Sequence, residues 1–155
     1  MGFGMMTVSV IALACAIGAP ATAQEKQLKR SDLPPAVQKT ADAQSQGASV
    51  RGYSSETEDG RLEYEVALTV HGHKRDVTIA QDGSVLEIEE EVVLDSLPAP
   101  VREGLSRAAG SGRITRVESL TKHGAIVAYE AQVRTGTKRS EVQVDPDGKP
   151  LAHPE

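Results

Sequence analysis

Leu62, Tyr64, Val66, Leu68 and Val70 alternate with Arg61, Glu63, Glu65, Ala67 and Thr69. A period of two is that of a strand with one face buried and the other wet. Val127, Tyr129, Ala131 and Val133 repeat it further along. Short glycine turns at hairpin spacing, Glu58-Asp59-Gly60, His71-Gly72-His73 and Gln81-Asp82-Gly83, separate the apolar runs. Together they predict an antiparallel meander with strands over 50–57, 61–70, 74–80 and 85–88.

A helical period precedes each meander. Leu97, Val101, Leu105 and Ala108 recur on one face. Asp95 or Ser96 can cap this helix, Pro98 suits its first turn, and Gly110 is its stop. Gly104 inside it costs about 1 kcal/mol against alanine, so the helix depends on tertiary packing. Leu33, Val37 and Ala41 form a poorer face on an earlier helix that Gly47 would end.

The order of helix and then strands is itself duplicated. Asp32-Leu33-Pro34-Pro35-Ala36-Val37 returns as Ser96-Leu97-Pro98-Ala99-Pro100-Val101. At a nearly constant offset, Tyr64-Glu65 returns as Tyr129-Glu130, Val77 and Ile79 as Val142 and Val144, and Asp82-Gly83 as Asp147-Gly148. Self-similarity at a fixed period marks a repeated supersecondary unit. Two such units predict a two-layer α+β protein, with the helices on one face of antiparallel sheet. The expected organisation is a leader over 1–23, a linker over 24–31, repeats over 32–91 and 92–151, and a tail over 152–155. One continuous sheet and two small ones both satisfy the pattern.

The leader changes the picture by fixing a compartment. The run 7–19 is almost wholly apolar but shorter than the roughly 20 residues of a membrane span. Ala21 and Ala23 after it form the small-x-small site of a signal peptidase, so cleavage after Ala23 and export to the periplasm or the medium are expected. A retained anchor, or a lipoprotein through Cys15, is the weaker alternative. Cys15 is the only cysteine, so the mature chain 24–155 has no disulfide and stands on aliphatic residues plus Tyr53, Tyr64 and Tyr129. At roughly 1.5–3 kcal/mol per buried Val or Leu, that supply suits one thin core, which the two units are expected to share.

Charge excludes more than it identifies. Lys+Arg number 17 and Asp+Glu 22, a net charge of −5, with both signs mixed along the chain. Nucleic acid would call for a basic patch or stripe, and none is present.

Leu-Pro-x-x-Val at the helix start, a glycine turn, Tyr-Glu-Val and then Asp-Gly-x-Val-Leu resemble the PepSY-like domains. The first copy carries Tyr64-Glu65-Val66 and Asp82-Gly83-Ser84-Val85-Leu86. The second carries Tyr129-Glu130-Ala131 and Asp147-Gly148-Lys149-Pro150-Leu151. It departs at Ala131, and at Pro150, which would disturb a central strand. Tandem copies are similar to the group compared with β-lactamase-inhibitor proteins. The resemblance implies an exported, non-enzymatic protein that binds or regulates a separate exported partner, a peptidase among the candidates. It supplies no active-site residue.

The chemistry-bearing residues point the same way. Neither His-Glu-x-x-His nor paired cysteines occur, so no zinc site is expected. His71 and His73 sit at a turn whose counterpart, Thr135-Gly136-Thr137, works without histidine. Asp145-Pro146-Asp147-Gly148 starts like a calcium loop but lacks its third acidic ligand and closing Glu; a hairpin turn is the expectation. Glu87, Glu89, Glu90 and Glu91 are read as a solvated strand edge and linker, or as a docking strip for a basic partner. No nucleophile motif or phosphate loop is present. No catalytic, cofactor or metal residues are therefore expected. The wet strand faces offer Arg61, Glu63, Glu65, Thr69, Glu130, Gln132 and Arg134 as contacts. The expected partner is another exported protein, with no nucleic acid and no membrane span after cleavage, and the chain is a monomer or weak dimer. A small-ligand or cation-binding protein, using the helix–sheet seam or the acidic run, is the alternative.

Overall fold

The computed structural model describes residues 25–58, 60–151 and 155. The expected signal peptide and its cleavage site lie outside the described residues. Eight strands, β1 (Lys26–Leu28), β2 (Ser49–Glu58), β3 (Arg61–Val70), β4 (His73–Ala80), β5 (Val85–Glu91), β6 (Arg113–Lys122), β7 (Ala125–Thr135) and β8 (Lys138–Val144), form one antiparallel sheet in sequential order. Two helices, α1 (Pro35–Gln44) and α2 (Ala99–Ala109), pack on one of its faces, each preceded by a single 3-10 turn. The class is α+β, and the sheet is continuous rather than two.

The turns follow from residue chemistry. β3 and β4 join through His71-Gly72, and β6 and β7 through His123-Gly124, with positive φ at both residues of each pair. A two-residue hairpin needs that left-handed backbone, which matches the twist of the flanking strands. β5 joins the halves: its residues 87–91 pair with β6 from Glu87↔Lys122 to Glu91↔Glu118.

Several expectations change. Glu87, Glu89, Glu90 and Glu91 are neither edge nor linker, because β5 runs on to Glu91 in mid-sheet between β4 and β6. The strand expected over 85–88 runs three residues further, through an acidic end that reads as linker, and its core side is held by Val85 and Ile88. The stretch read as a linker contains β1, three residues that pair with β2. Asp95 and Ser96 do not cap α2; they lie in the 3-10 turn 94–96, and Pro98 is the N-cap. Ala108 is exposed while Ala109 packs inward, four residues after the buried Leu105.

The shared core also fails. One buried cluster joins Leu33, Val37 and Ala41 to Tyr64, Val66, Leu68, Val77 and Ile79. A second joins Leu97, Val101 and Leu105 to Val117, Tyr129, Ala131, Val133 and Val144. Each helix covers only its own strands, so the halves share a sheet instead of a core.

Candidate binding face

With both helices on one side, the other face of the sheet has no second layer among the described residues. Strand alternation decides what it carries. Tyr64, Val66, Val77 and Ile79 point to the helices, so Glu63, Glu65, Asp76 and Thr78 point away. Sheet register lines these residues into rows. One row runs Ser54, Glu65, Thr78, Glu87, Lys122 across β2 to β6. The next runs Ala67, Asp76, Glu89, Leu120, Ala128. A third runs Glu91, Glu118, Glu130, Gln143. The last, at the far corner, is Arg113, Arg134, Arg139.

The first-half rows enclose a trough of about 470 Å³, lined by Glu56, Glu63, Glu65, Asp76, Glu87 and Glu89, with Arg61, Lys122 and His123 among its other walls. Cations reach some of these carboxylates. Arg51 pairs with Asp76, Lys122 Nζ lies 3.2 Å from Glu87, and Arg116 Nε lies 3.2 Å from Glu118. The Arg116–Glu118 contact is close but poorly aligned, since Arg116 Nε is buried without a hydrogen bond. Glu130 accepts a 2.9 Å hydrogen bond from Gln143. Among the described residues no ion pair reaches Glu65 or Glu89.

Burial first, and then the charge of Asp76, pushes Glu65 up to about 7. Burial first, and then the charge and hydrogen bond of Glu87, pushes Glu89 up to about 8. A charge that leaves water without a partner prefers to be neutral. Glu63, Glu118 and Glu130 are raised as well, burial again being the main cause.

A second trough, of about 630 Å³, lies at the far end along β8, between Thr115, Gln132, Arg134, Arg139 and Glu141. The face is thus acidic over the first half and basic at its far corner.

The contacts read from the sequence divide between these two places. Arg61, Glu63 and Glu65 line the acidic trough, Gln132 and Arg134 the far one, and Glu130 the row between them. Thr69 lies at the margin, opposite Ser49 and Lys74. Glu63 and Glu65 are half-buried rather than wet, because neighbouring strands crowd them. Asp76, Glu118, Lys122, Arg113 and Arg139 were missed. Alternation within β4, β6 and β8 could have found them, but register between distant strands could not be read. His71 and His73 stay at a hairpin, and among the described residues no group of three or more His, Cys, Asp or Glu could hold a metal. Asp145 Oδ1 accepts the backbone N–H of Asp147 and Lys149, as a turn does. No described helix is long and apolar enough to cross a membrane.

No family model matches the chain. No curated protein matches it either. Solved structures do. A proposed periplasmic protein of Bacteroides eggerthii is 18% identical over 77% of this chain and 86% of its own, with a TM-score of 0.63. A DUF2874 family protein of Bacteroides ovatus is 18% identical over 77% and 84%, at 0.61. A BLIP-like protein of Bacteroides fragilis is 16% identical over 77% and 83%, at 0.58. At such identities the likeness establishes the fold alone, a BLIP-like antiparallel sheet with helices.

Proposed function

We propose that the chain is an exported, non-enzymatic protein of two PepSY-like repeats over 32–91 and 92–151. It binds another envelope or secreted protein through the helix-free face of its sheet. A separate peptidase, inhibited on binding, is a candidate partner, and the protein acts as a monomer or weak dimer. The periplasm fits both the leader in the sequence and the compartment proposed for the Bacteroides eggerthii protein of like fold.

One observation carries the reading: a sheet face eight strands wide, without a second layer among the described residues, holds half-buried carboxylates, Glu65 and Glu89, that no described ion pair reaches. Such groups cost stability in the free protein and gain partners in a complex. Cross-linking the tagged mature protein in its native envelope, followed by mass spectrometry, should return one reproducible protein. Glu63→Lys with Glu65→Lys should weaken that complex at least tenfold. Unchanged affinity would remove the face from the reading. The acidic trough also favours a second reading, a cation or small basic ligand. That reading requires a ligand-dependent rise in melting temperature, and a flat response to metals and polyamines ends it.

A further inference from the structure

The two halves end differently, and among the described residues the difference leaves one sheet edge open. After β4 the chain turns with Gly83 N–H donating to Ala80 O (2.9 Å) and Ala80 N–H to Ser84 O (2.8 Å). It then pairs Ile79↔Val85 and continues as β5 along the outer edge of β4. After β8 the same turn recurs in the second repeat. Gly148 N–H donates to Asp145 O (2.9 Å), Asp145 N–H donates to Lys149 O (2.8 Å), and Val144 pairs with Pro150. By sequence offset, Pro150-Leu151-Ala152-His153-Pro154-Glu155 corresponds to Val85-Leu86-Glu87-Ile88-Glu89-Glu90 of β5, and Glu155 N–H donates to the side chain of Gln143 at 2.9 Å. Proline has no N–H for the ladder. Among the described residues nothing else pairs with the outer edge of β8.

The chemistry of that edge is specific. Val142 lies on the helix side, packed against the second core cluster. Arg139 lies on the open face at the end of the arginine row. Like charges directly opposite one another are unfavourable, and among the described residues no carboxylate pairs with Arg113, Arg134 or Arg139. A strand added along β8 in the register of β5 would set one residue opposite Val142, the next opposite Glu141 on the open face, and the third further on opposite Arg139. In β5 the first and last of these correspond to Ile88, opposite Val77, and Glu91, whose carboxylate accepts the Lys74 N–H at 3.1 Å.

We propose that the free edge of β8 receives an extended segment of a partner protein by strand addition, an aliphatic residue meeting Val142, a basic residue meeting Glu141 and a carboxylate meeting Arg139. Main-chain hydrogen bonds supply affinity in this mode and alternate side chains supply specificity. The charges on β8 discourage indiscriminate pairing and leave a strand of complementary charge pattern as the exception. This rests on the protein-binding reading above and adds to it the chemistry of the bound segment.

The probe is a synthetic peptide with the sequence of residues 84–91 carrying lysine in place of Glu89, which would face Glu141, and the readout is backbone amide exchange in the full mature protein. Saturable protection of the 138–143 amides is expected. Arg139→Glu should weaken it at least tenfold, and a peptide with lysine at each acidic position should not bind. A variant that grafts the β5 sequence onto positions 150–155, with Pro150→Val and, opposite Glu141, Pro154→Lys among its changes, should close the edge. It should melt higher than the parent and no longer take the peptide. The proposal is overturned by absence of binding, by binding indifferent to Arg139→Glu or to the graft, or by protection elsewhere. Concentration-dependent protection without peptide overturns it too, since the edge then belongs to a second copy. If the native partner is lost with the Glu63 and Glu65 reversals but kept in the graft, the face reading stands and the edge proposal falls.

Discussion

Thr40 in α1 and Gly104 in α2 occupy matching places in the two repeats and seat their helices by opposite means. Thr40 Oγ1 donates a 2.6 Å hydrogen bond to the carbonyl of Gly83, so a side chain spans helix and turn. At Gly104 there is no side chain, and α2 rests directly on the backbone of Gly148, whose carbonyl a Cβ at 104 would strike. Gly148, at φ +78, is itself packed against the carbonyl of Pro100, while the matching approach of Gly83 to Ala36 is looser. The reason lies in how the chain continues beyond each turn. In the first half β5 continues and is locked between β4 and β6. In the second half only the Val144–Pro150 bridge is seen among the described residues, so the helix contact holds the turn. A glycine unfavourable for the helix is offset by closer packing.

The sharpest way to break this comparison is Gly104→Ala. In an open helix site it would gain about 1 kcal/mol from propensity. Against the Gly148 carbonyl it should instead lose about 3 kcal/mol, as overpacking against backbone does, measured by denaturant unfolding. A stabilised variant would refute the close seating. Thr40→Gly is the reciprocal change and should lose about 2 kcal/mol, from one hydrogen bond and the added backbone freedom. It creates no clash.

Much of this fold was legible because the informative residues act locally. Alternation in 61–70 gave β3 to its ends, and Gly110 marked the end of α2 at φ +58. The elements that escaped depended on partners far along the chain. The strand expected over 85–88 stops short of Glu91 because Glu87, Glu89 and Glu91 face a sheet side whose other members, Asp76 and Glu118, come from other strands. Gly104 read as a defect until Gly148 lay beneath it. For the candidate site, the sequence named Glu65, Glu130 and Arg134, single members of three rows, and none of the rows, since register across β5 and β6 is a tertiary fact. The division into two cores was missed for a related reason: apolar supply says how much can be buried, and topology says where.

The next comparison concerns protons. Glu65 and Glu89, both in the first half, are raised from 4.5 to about 7 and about 8. The native state therefore binds protons that the unfolded chain has released, and stability falls as pH rises. Their contribution is complete below about 4.5 and is lost as pH climbs through about 7 and then about 8. Glu63, Glu118 and Glu130 shift in the same direction and add to the slope. Melting temperature should thus decline between pH 5 and pH 8.5. In the double variant Glu65→Gln, Glu89→Gln the decline should flatten. An equal slope in both proteins would place the protons elsewhere.

The smallest effect compares the two like-charged rows. Glu56 opposite Glu63 in the first half and Arg113 opposite Arg134 in the second each set one sign against itself across neighbouring strands. Cross-strand pairs of this kind are worth roughly 0.2–1 kcal/mol. Glu56→Lys and Arg113→Glu should therefore each stabilise the protein by about 0.5 kcal/mol at low salt. Both gains should fade in 1 M salt, where screening reaches only about 3 Å. The two sites should nevertheless differ. Arg113 is exposed, so its gain should disappear almost fully with salt, whereas the partly buried Glu56 should keep part of its own. Equal salt sensitivity would mean that the acidic trough is as open to water as the arginine corner. The raised Glu65 and Glu89 would then lose their explanation in burial, which makes the weakest of these measurements a direct check on the electrostatic difference between the halves.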